Sequence, residues 1–165
     1  GEKVDIDAFL HEHLQKQSMV TVAEAYRAVL VLADGEDKNS SFEERRATLE
    51  TQGIVRPEWK LEREACIDKG SVAFMVCQVI KAPGGVNLNL LGRTAHLGDR
   101  RYALRELEYL DLMPNAASYR YITGGELVDL LARADRYMAD HGRYNAERVD
   151  VAKELENQAT RREKR

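Results

Sequence analysis

Cysteine is scarce in this sequence, and that scarcity excludes a disulfide-stabilised scaffold. Only Cys66 and Cys77 occur in 165 residues, whereas small disulfide scaffolds are dense in cysteine. Their separation does not fit a CxxC redox or zinc motif, so both are expected to be small buried apolar side chains. The sequence leaves open whether they form one disulfide.

Long apolar runs and an excess of positive charge are also missing. No run approaches the roughly 18 to 20 apolar residues of a membrane-spanning helix, so no membrane span is expected. The 25 Lys and Arg residues face 28 Asp and Glu residues, for a net charge of −3. Without a positive field, general binding to nucleic acid is not expected.

Sequence motifs of catalysis and metal binding are missing as well. The sequence contains no GxSxG, HExxH or GxxxxGK[ST] pattern. His11 and His13 are two residues apart, so on a helix they point in directions roughly 200° apart and cannot share one metal ion. We therefore expect neither cofactor nor metal and no enzymatic activity, although an enzyme with an unrecognised site remains an alternative.

What the sequence does contain is a recurring signal for the start of a helix. A Thr or Ser is followed three residues later by Glu, ahead of an apolar periodic run, which is the pattern of a capping box. A weaker version pairs Asp68 with Ser71. The three full versions are Thr21 with Glu24, Ser41 with Glu44, and Thr123 with Glu126.

Helical periodicity behind these caps predicts an all-α fold in one domain spanning residues 1–165. The expected architecture is three pseudo-repeated helix–loop–helix units at about 5–34, 41–82 and 99–138, with a peripheral C-terminal helix at about 145–162. Residues 7–17 form the first predicted helix, and residues 81–99 a glycine-containing ordered loop. In the helix predicted over 100–110, the apolar face includes Tyr102, Leu104 and Leu107.

The repeat is clearest where the second and third units are aligned. Residues 49–55 correspond to residues 107–113, which places Gly53 opposite Asp111. Each stretch is followed by a proline, an aromatic residue and a capped helix, and the three capped helices are about fifty residues apart. Such a period predicts stacked units that cannot bury their apolar faces singly.

This pattern resembles the S-layer homology domain. The resemblance rests on a helix, an apolar turn, a loop with an aromatic residue, and an Ile-Thr-x-x-Glu motif, which is best matched at residues 122–126. It implies three units in a pseudo-threefold bundle that binds cell-wall polysaccharide in grooves between units. Family members carry a basic residue directly after the motif Thr, where this chain has Val22, Lys69 and Gly124, so only Lys69 matches.

Candidate ligand-binding residues follow from the resemblance and from side-chain chemistry. An aromatic ring in a pre-helix loop can stack on a sugar, while a nearby cation meets a carboxylate or phosphate. The alternative is that the aromatic residues fill the interface between units. The candidates are Trp59, Arg63, Lys69, Tyr119 and Arg120.

The sequence thus predicts a non-enzymatic module of the cell envelope, periplasmic or at the surface after removal of a signal sequence. Its expected partner is an anionic cell-wall polysaccharide or an envelope protein. The alternative is a protein–protein interaction scaffold that uses the same helical fold without binding glycan.

Overall fold

The computed structural model describes Ile6, residues 8–81 and residues 99–143. The described part has an all-α fold, as predicted. Within it, β-type backbone pairing is limited to two isolated bridges. The predicted loop over 81–99 lies almost wholly outside the described residues, and the predicted C-terminal helix over 145–162 lies wholly outside them. The α-helices are Val22–Asp34 (α1), Phe42–Thr51 (α2), Lys69–Lys81 (α3), Asp99–Tyr109 (α4) and Gly124–Met138 (α5).

The segment before α1 is helical, as predicted, and its turns are of the π and 3-10 types. Ala8–His13 forms π-helical turns and Leu14–Lys16 forms a 3-10 turn. No side chain caps that 3-10 turn, so its geometry depends on tertiary packing. Leu14 is fully buried, and the guanidinium of Arg27 lies 4.6 Å from the ring centre of Phe9.

Local side-chain caps fix where the helices begin. The predicted capping boxes at Thr21 and Thr123 are both present, and in each the hydroxyl accepts a backbone N–H at 3.2 Å. The Ser41 hydroxyl also caps its helix, but the Glu44 carboxylate accepts the N–H of Ser40 at 2.8 Å instead of completing the box. Each cap satisfies a donor that the first turn of a helix leaves without an intrahelical partner.

The turns that end α2 and α4 have the same backbone geometry. Gly53 and Asp111 both have positive φ, at 72° and 57°. In each turn this residue donates its N–H at 3.1 Å to the carbonyl oxygen of the residue three before it. The N–H of the following residue donates at 2.9 Å to the carbonyl oxygen of Leu49 in the first turn and of Leu107 in the second. A glycine suits this left-handed position, and Asp is one of the few other residues that tolerates it. The residues aligned in the sequence therefore occupy matching turns.

Three backbone segments meet in a closed ring of hydrogen bonds at the centre of the fold. Val20 donates its N–H to Ile122 at 3.1 Å, Ile122 donates to Ile67 at 3.2 Å, and Ile67 donates to Val20 at 3.0 Å. The three residues are at most 1% exposed and immediately precede the N-terminal caps of α1, α3 and α5. The ring thus holds the three helix starts together, while the three pseudo-repeated units stay a prediction.

The packing of α4 on α3 corrects one core assignment. Leu104 and Leu107 are buried as predicted, but Tyr102 is 63% exposed. The buried face of α4 instead includes Ala103, whose carbonyl oxygen lies 3.4 Å from Sγ of Cys77 on α3. Tyr102 is two residues before Leu104, so on a helix it points roughly 200° away from this buried side chain and faces outward.

Both cysteines are free thiols. Cys77 is buried, as expected of a small apolar core residue, while Cys66 is only partly buried. Cys66 lies at an isolated bridge with Thr21, next to the central ring.

Candidate functional site

The candidate site lies at the start of α3, where three segments converge. The N–H of Lys69 donates to the carbonyl of Arg120 at 2.7 Å, and the N–H of Gly70 donates to the carbonyl of Ser118 at 2.9 Å. A Cβ at Gly70 would lie 3.0 Å from the Cβ atoms of both Ser118 and Arg100. The absence of a side chain at Gly70 therefore lets the loop over 117–121 and the first turn of α4 approach α3.

Trp59 stands beside this junction and has both an interior and an exterior contact. It ends the 3-10 turn Pro57–Trp59, and its ring meets Phe74 edge-on at 5.1 Å. The guanidinium of Arg100, in the first turn of α4, lies 4.5 Å from the Trp59 ring centre. Trp59 is partly buried against the core, so it packs within the second predicted unit and also supports a cation at the surface, while a role in filling the interface between units stays a prediction.

Arg100 is the residue of this site that the sequence analysis missed. Its side chain is 37% exposed, and its Nη1 lies 3.7 Å from a carboxylate oxygen of Asp68. Asp68 is also the cap of α3 and accepts the N–H of Ser71 at 2.6 Å, as the weaker cap predicted. The stacking of Arg100 on Trp59 joins residues 41 positions apart in the sequence, and no local pattern could have indicated it.

Lys69, the only cation at the family's motif position, is engaged inside the fold. Its ammonium nitrogen lies 2.5 Å from Oε2 of Glu126, and its side chain is 12% exposed. Burial by itself raises the pKa of Glu126, but hydrogen bonds from Lys69 and Thr123 outweigh burial and hold that pKa below its ordinary value. Contact between Lys69 and a ligand would require this ion pair to open.

Tyr119 and Arg120 present their side chains to the solvent on the same junction. Tyr119 is 79% exposed, Tyr121 is 55% exposed, and Arg120 is exposed as well. Their backbone is held by the contact to Lys69 and by the isolated bridge between Asp68 and Tyr121. The loop therefore offers two aromatic rings and a guanidinium on a fixed backbone.

Arg63 belongs to a different helix start. Its carbonyl oxygen accepts the N–H of Ala23 at 3.1 Å at the beginning of α1. Its side chain is exposed and faces the carboxylate of Glu64 at 3.0 Å. The structure therefore groups Trp59, Lys69, Tyr119 and Arg120 around α3 and places Arg63 at α1.

The start of α5 is covered by the chain itself. The N–H of Gly124 donates to the carbonyl of Gln17 at 2.9 Å, and a Cβ at Gly124 would overlap the carbonyl oxygen of Leu14. At the start of α1, Glu24 accepts a contact from Nε2 of His13 at 2.9 Å. The segment before α1 thus occupies the surroundings of two helix starts, whereas the start of α3 is held to a loop whose Tyr119, Arg120 and Tyr121 side chains are exposed.

The described ranges offer no group of three His, Cys, Asp or Glu side chains placed to hold a metal ion. Within the same ranges, no helix combines the length and apolar character needed to cross a membrane. No protein-family model and no curated protein sequence matches the chain.

Proposed function

We propose that this protein is a non-enzymatic binding or anchoring module of the cell envelope, whose ligand is an anionic cell-wall glycan or another envelope component. The surface involved is the start of α3, formed by Arg100, Tyr119 and Arg120 around Trp59. The observation that carries the proposal is the guanidinium of Arg100 at 4.5 Å from the Trp59 ring centre, at a helix start whose backbone N–H groups also hold the loop that bears the 79% exposed Tyr119.

This arrangement suits a ligand that has both flat apolar faces and negative charge. The ring of Tyr119 offers a stacking surface for the C–H face of a sugar. The guanidinium groups of Arg100 and Arg120 can each donate two parallel hydrogen bonds to a carboxylate or phosphate. Because Arg100 is held on Trp59, less side-chain entropy is lost when it binds.

In this proposal Lys69, whose side chain is largely buried, supports the binding surface without contacting the ligand. Its ion pair with Glu126 joins the start of α3 to the start of α5, and its backbone N–H fixes Arg120. Lys69 therefore positions the loop that bears Tyr119, and the ligand's charge is met by the two arginines.

Co-sedimentation with cell-wall sacculi of the source organism tests the proposal. We expect the protein to be retained at low salt, to be released as salt screens the charges, and to lose retention when attached polymers are stripped chemically. Absence of retention at low salt would refute glycan anchoring.

The second candidate function is a protein–protein interaction scaffold. It is favoured by Tyr102 and Tyr109, which are 63% and 86% exposed on α4, away from the junction at α3. Exposed aromatic residues are enriched at protein interfaces. Retention on sacculi that persists after the polymers are stripped, and is lost after protease treatment of the sacculi, would favour this function.

A further inference from the structure

The outer face of α4 carries a stripe of four exposed side chains. Tyr102 and Tyr109 are 63% and 86% exposed, and Arg105 and Glu106 between them are exposed as well. Positions separated by three, four and seven residues lie on one face of a helix. The opposite face of α4 is buried in the core, so this stripe faces away from the domain.

The two charged side chains at the centre of this stripe have no partner in the described ranges. Neither Arg105 nor Glu106 forms a side-chain hydrogen bond or ion pair there. Elsewhere on the helical surface, Arg46 lies 3.3 Å from Glu43, and Arg133 lies 2.9 Å from Asp129. The stripe therefore combines two uncovered aromatic rings with one uncovered charge of each sign.

The order of these residues is self-complementary about a point between Arg105 and Glu106. If a second α4 lies antiparallel across a twofold axis at this point, Tyr102 faces Tyr109 of the second copy. The same operation places Arg105 opposite Glu106 of the second copy. A twofold axis generates each contact twice, which is the requirement for an isologous interface.

We propose that the outer face of α4 is the interface of a weak homodimer. Its contacts are two tyrosine pairs that flank two symmetry-related Arg105–Glu106 ion pairs. An anionic glycan fits this face less well, because Glu106 at its centre would repel the polymer. The proposal is independent of the proposed glycan binding, since the start of α3 remains outside the stripe, and it assigns the exposed tyrosines of the second candidate function to a second copy of this chain.

The size of the interface sets the expected affinity. A helix of eleven residues is about 16 Å long, so an interface centred on it falls below the roughly 1,200 Å² typical of stable complexes. We therefore expect a dissociation constant between about 1 µM and 1 mM.

Sedimentation equilibrium on the full chain tests the proposal with a pair of charge reversals. The wild-type protein is expected to dimerise reversibly as its concentration rises to about 1 mM. Arg105→Glu alone and Glu106→Arg alone place like charges opposite each other, and each is expected to weaken dimerisation at least about tenfold. An equimolar mixture of the two variants restores both ion pairs and is expected to form a heterodimer.

Lys38→Glu is the matched control, because it reverses one exposed charge in the segment between α1 and α2 and should leave dimerisation unchanged. Circular dichroism checks that each variant is folded. A wild-type protein that is monomeric at about 1 mM would overturn the proposal. So would charge-reversal variants that dimerise like the wild type, or a mixture that stays monomeric.

Discussion

The ammonium group of Lys69 lies 2.5 Å from a carboxylate oxygen of Glu126 and joins the starts of two helices that are distant in the sequence. Glu126 also accepts the N–H of Thr123 at 3.2 Å as part of the cap of α5. One carboxylate therefore serves a helix cap and an interhelical ion pair at the same time. The candidate site depends on Lys69, because the backbone N–H of Lys69 also donates to the carbonyl of Arg120.

This contact predicts a loss of stability in acid. The pKa of Glu126 lies below its ordinary value of 4.5, because hydrogen bonds from Lys69 and Thr123 outweigh the effect of burial. A lowered pKa in the folded state contributes stability above the unfolded value, and that stability disappears as the pH falls through the folded value. In Lys69→Met, the free energy of unfolding should therefore depend less on pH below about 4.5 than in the wild type. Urea unfolding at pH 7 and pH 3 measures the difference, and an unchanged pH dependence would contradict the prediction.

Gly124 and Gly125 provide a matched pair of substitutions. A Cβ at Gly124 would overlap the carbonyl oxygen of Leu14, whereas a Cβ at Gly125 has no atom within 4 Å. We expect Gly124→Ala to destabilise the fold by at least about 2 kcal/mol, since the segment before α1 must shift. Gly125→Ala should be neutral or stabilising by up to about 1 kcal/mol, because alanine is the better helix former. Thermal unfolding of both variants tests the close approach, and equal effects would contradict it.

Tyr26 is fully buried and stacks on Phe42 at 5.5 Å, but its hydroxyl has no hydrogen-bond partner among the described residues. Tyr26→Phe removes that hydroxyl and should leave stability at pH 7 unchanged or raise it by about 1 kcal/mol. Burial raises the pKa of Tyr26 to about 12, so the unfolded state ionises first as the pH rises above 10.

This difference predicts that the wild type loses about 1.4 kcal/mol between pH 8 and pH 11 through Tyr26. The Tyr26→Phe variant should lack that part of the loss. Urea unfolding at the two pH values measures it, and identical losses in both proteins would show that the Tyr26 hydroxyl is not buried as described.

Local sequence signals were sufficient for the caps of α1, α2 and α5, although Glu44 accepts the N–H of Ser40 and leaves the box at Ser41 incomplete. The boxes at Thr21 and Thr123 are formed by residues three apart, and the alignment of Gly53 with Asp111 matches two turns of the same backbone geometry. Such features depend on a few neighbouring residues, so they can be identified without knowledge of the tertiary fold.

Contacts between distant segments could not be predicted in this way. The Lys69–Glu126 ion pair and the stacking of Arg100 on Trp59 join different helices and loops. The expectation of a buried Tyr102 is wrong for a local reason. Tyr102 lies two residues before Leu104 and five before Leu107, and on a helix these separations place it away from both leucines. Its 63% exposure therefore follows from helix geometry.

The most direct test of the proposed function compares two arginines for binding to purified wall polymer. Arg120 lies in the loop at the start of α3, and Arg101 is an exposed arginine on α4. We predict that Arg120→Gln lowers the affinity measured by calorimetry at low salt by at least about tenfold, the equivalent of about 1.4 kcal/mol. Arg101→Gln should bind like the wild type. Equal affinities for the wild type and both variants, or a larger loss in Arg101→Gln, would contradict a glycan site at the start of α3.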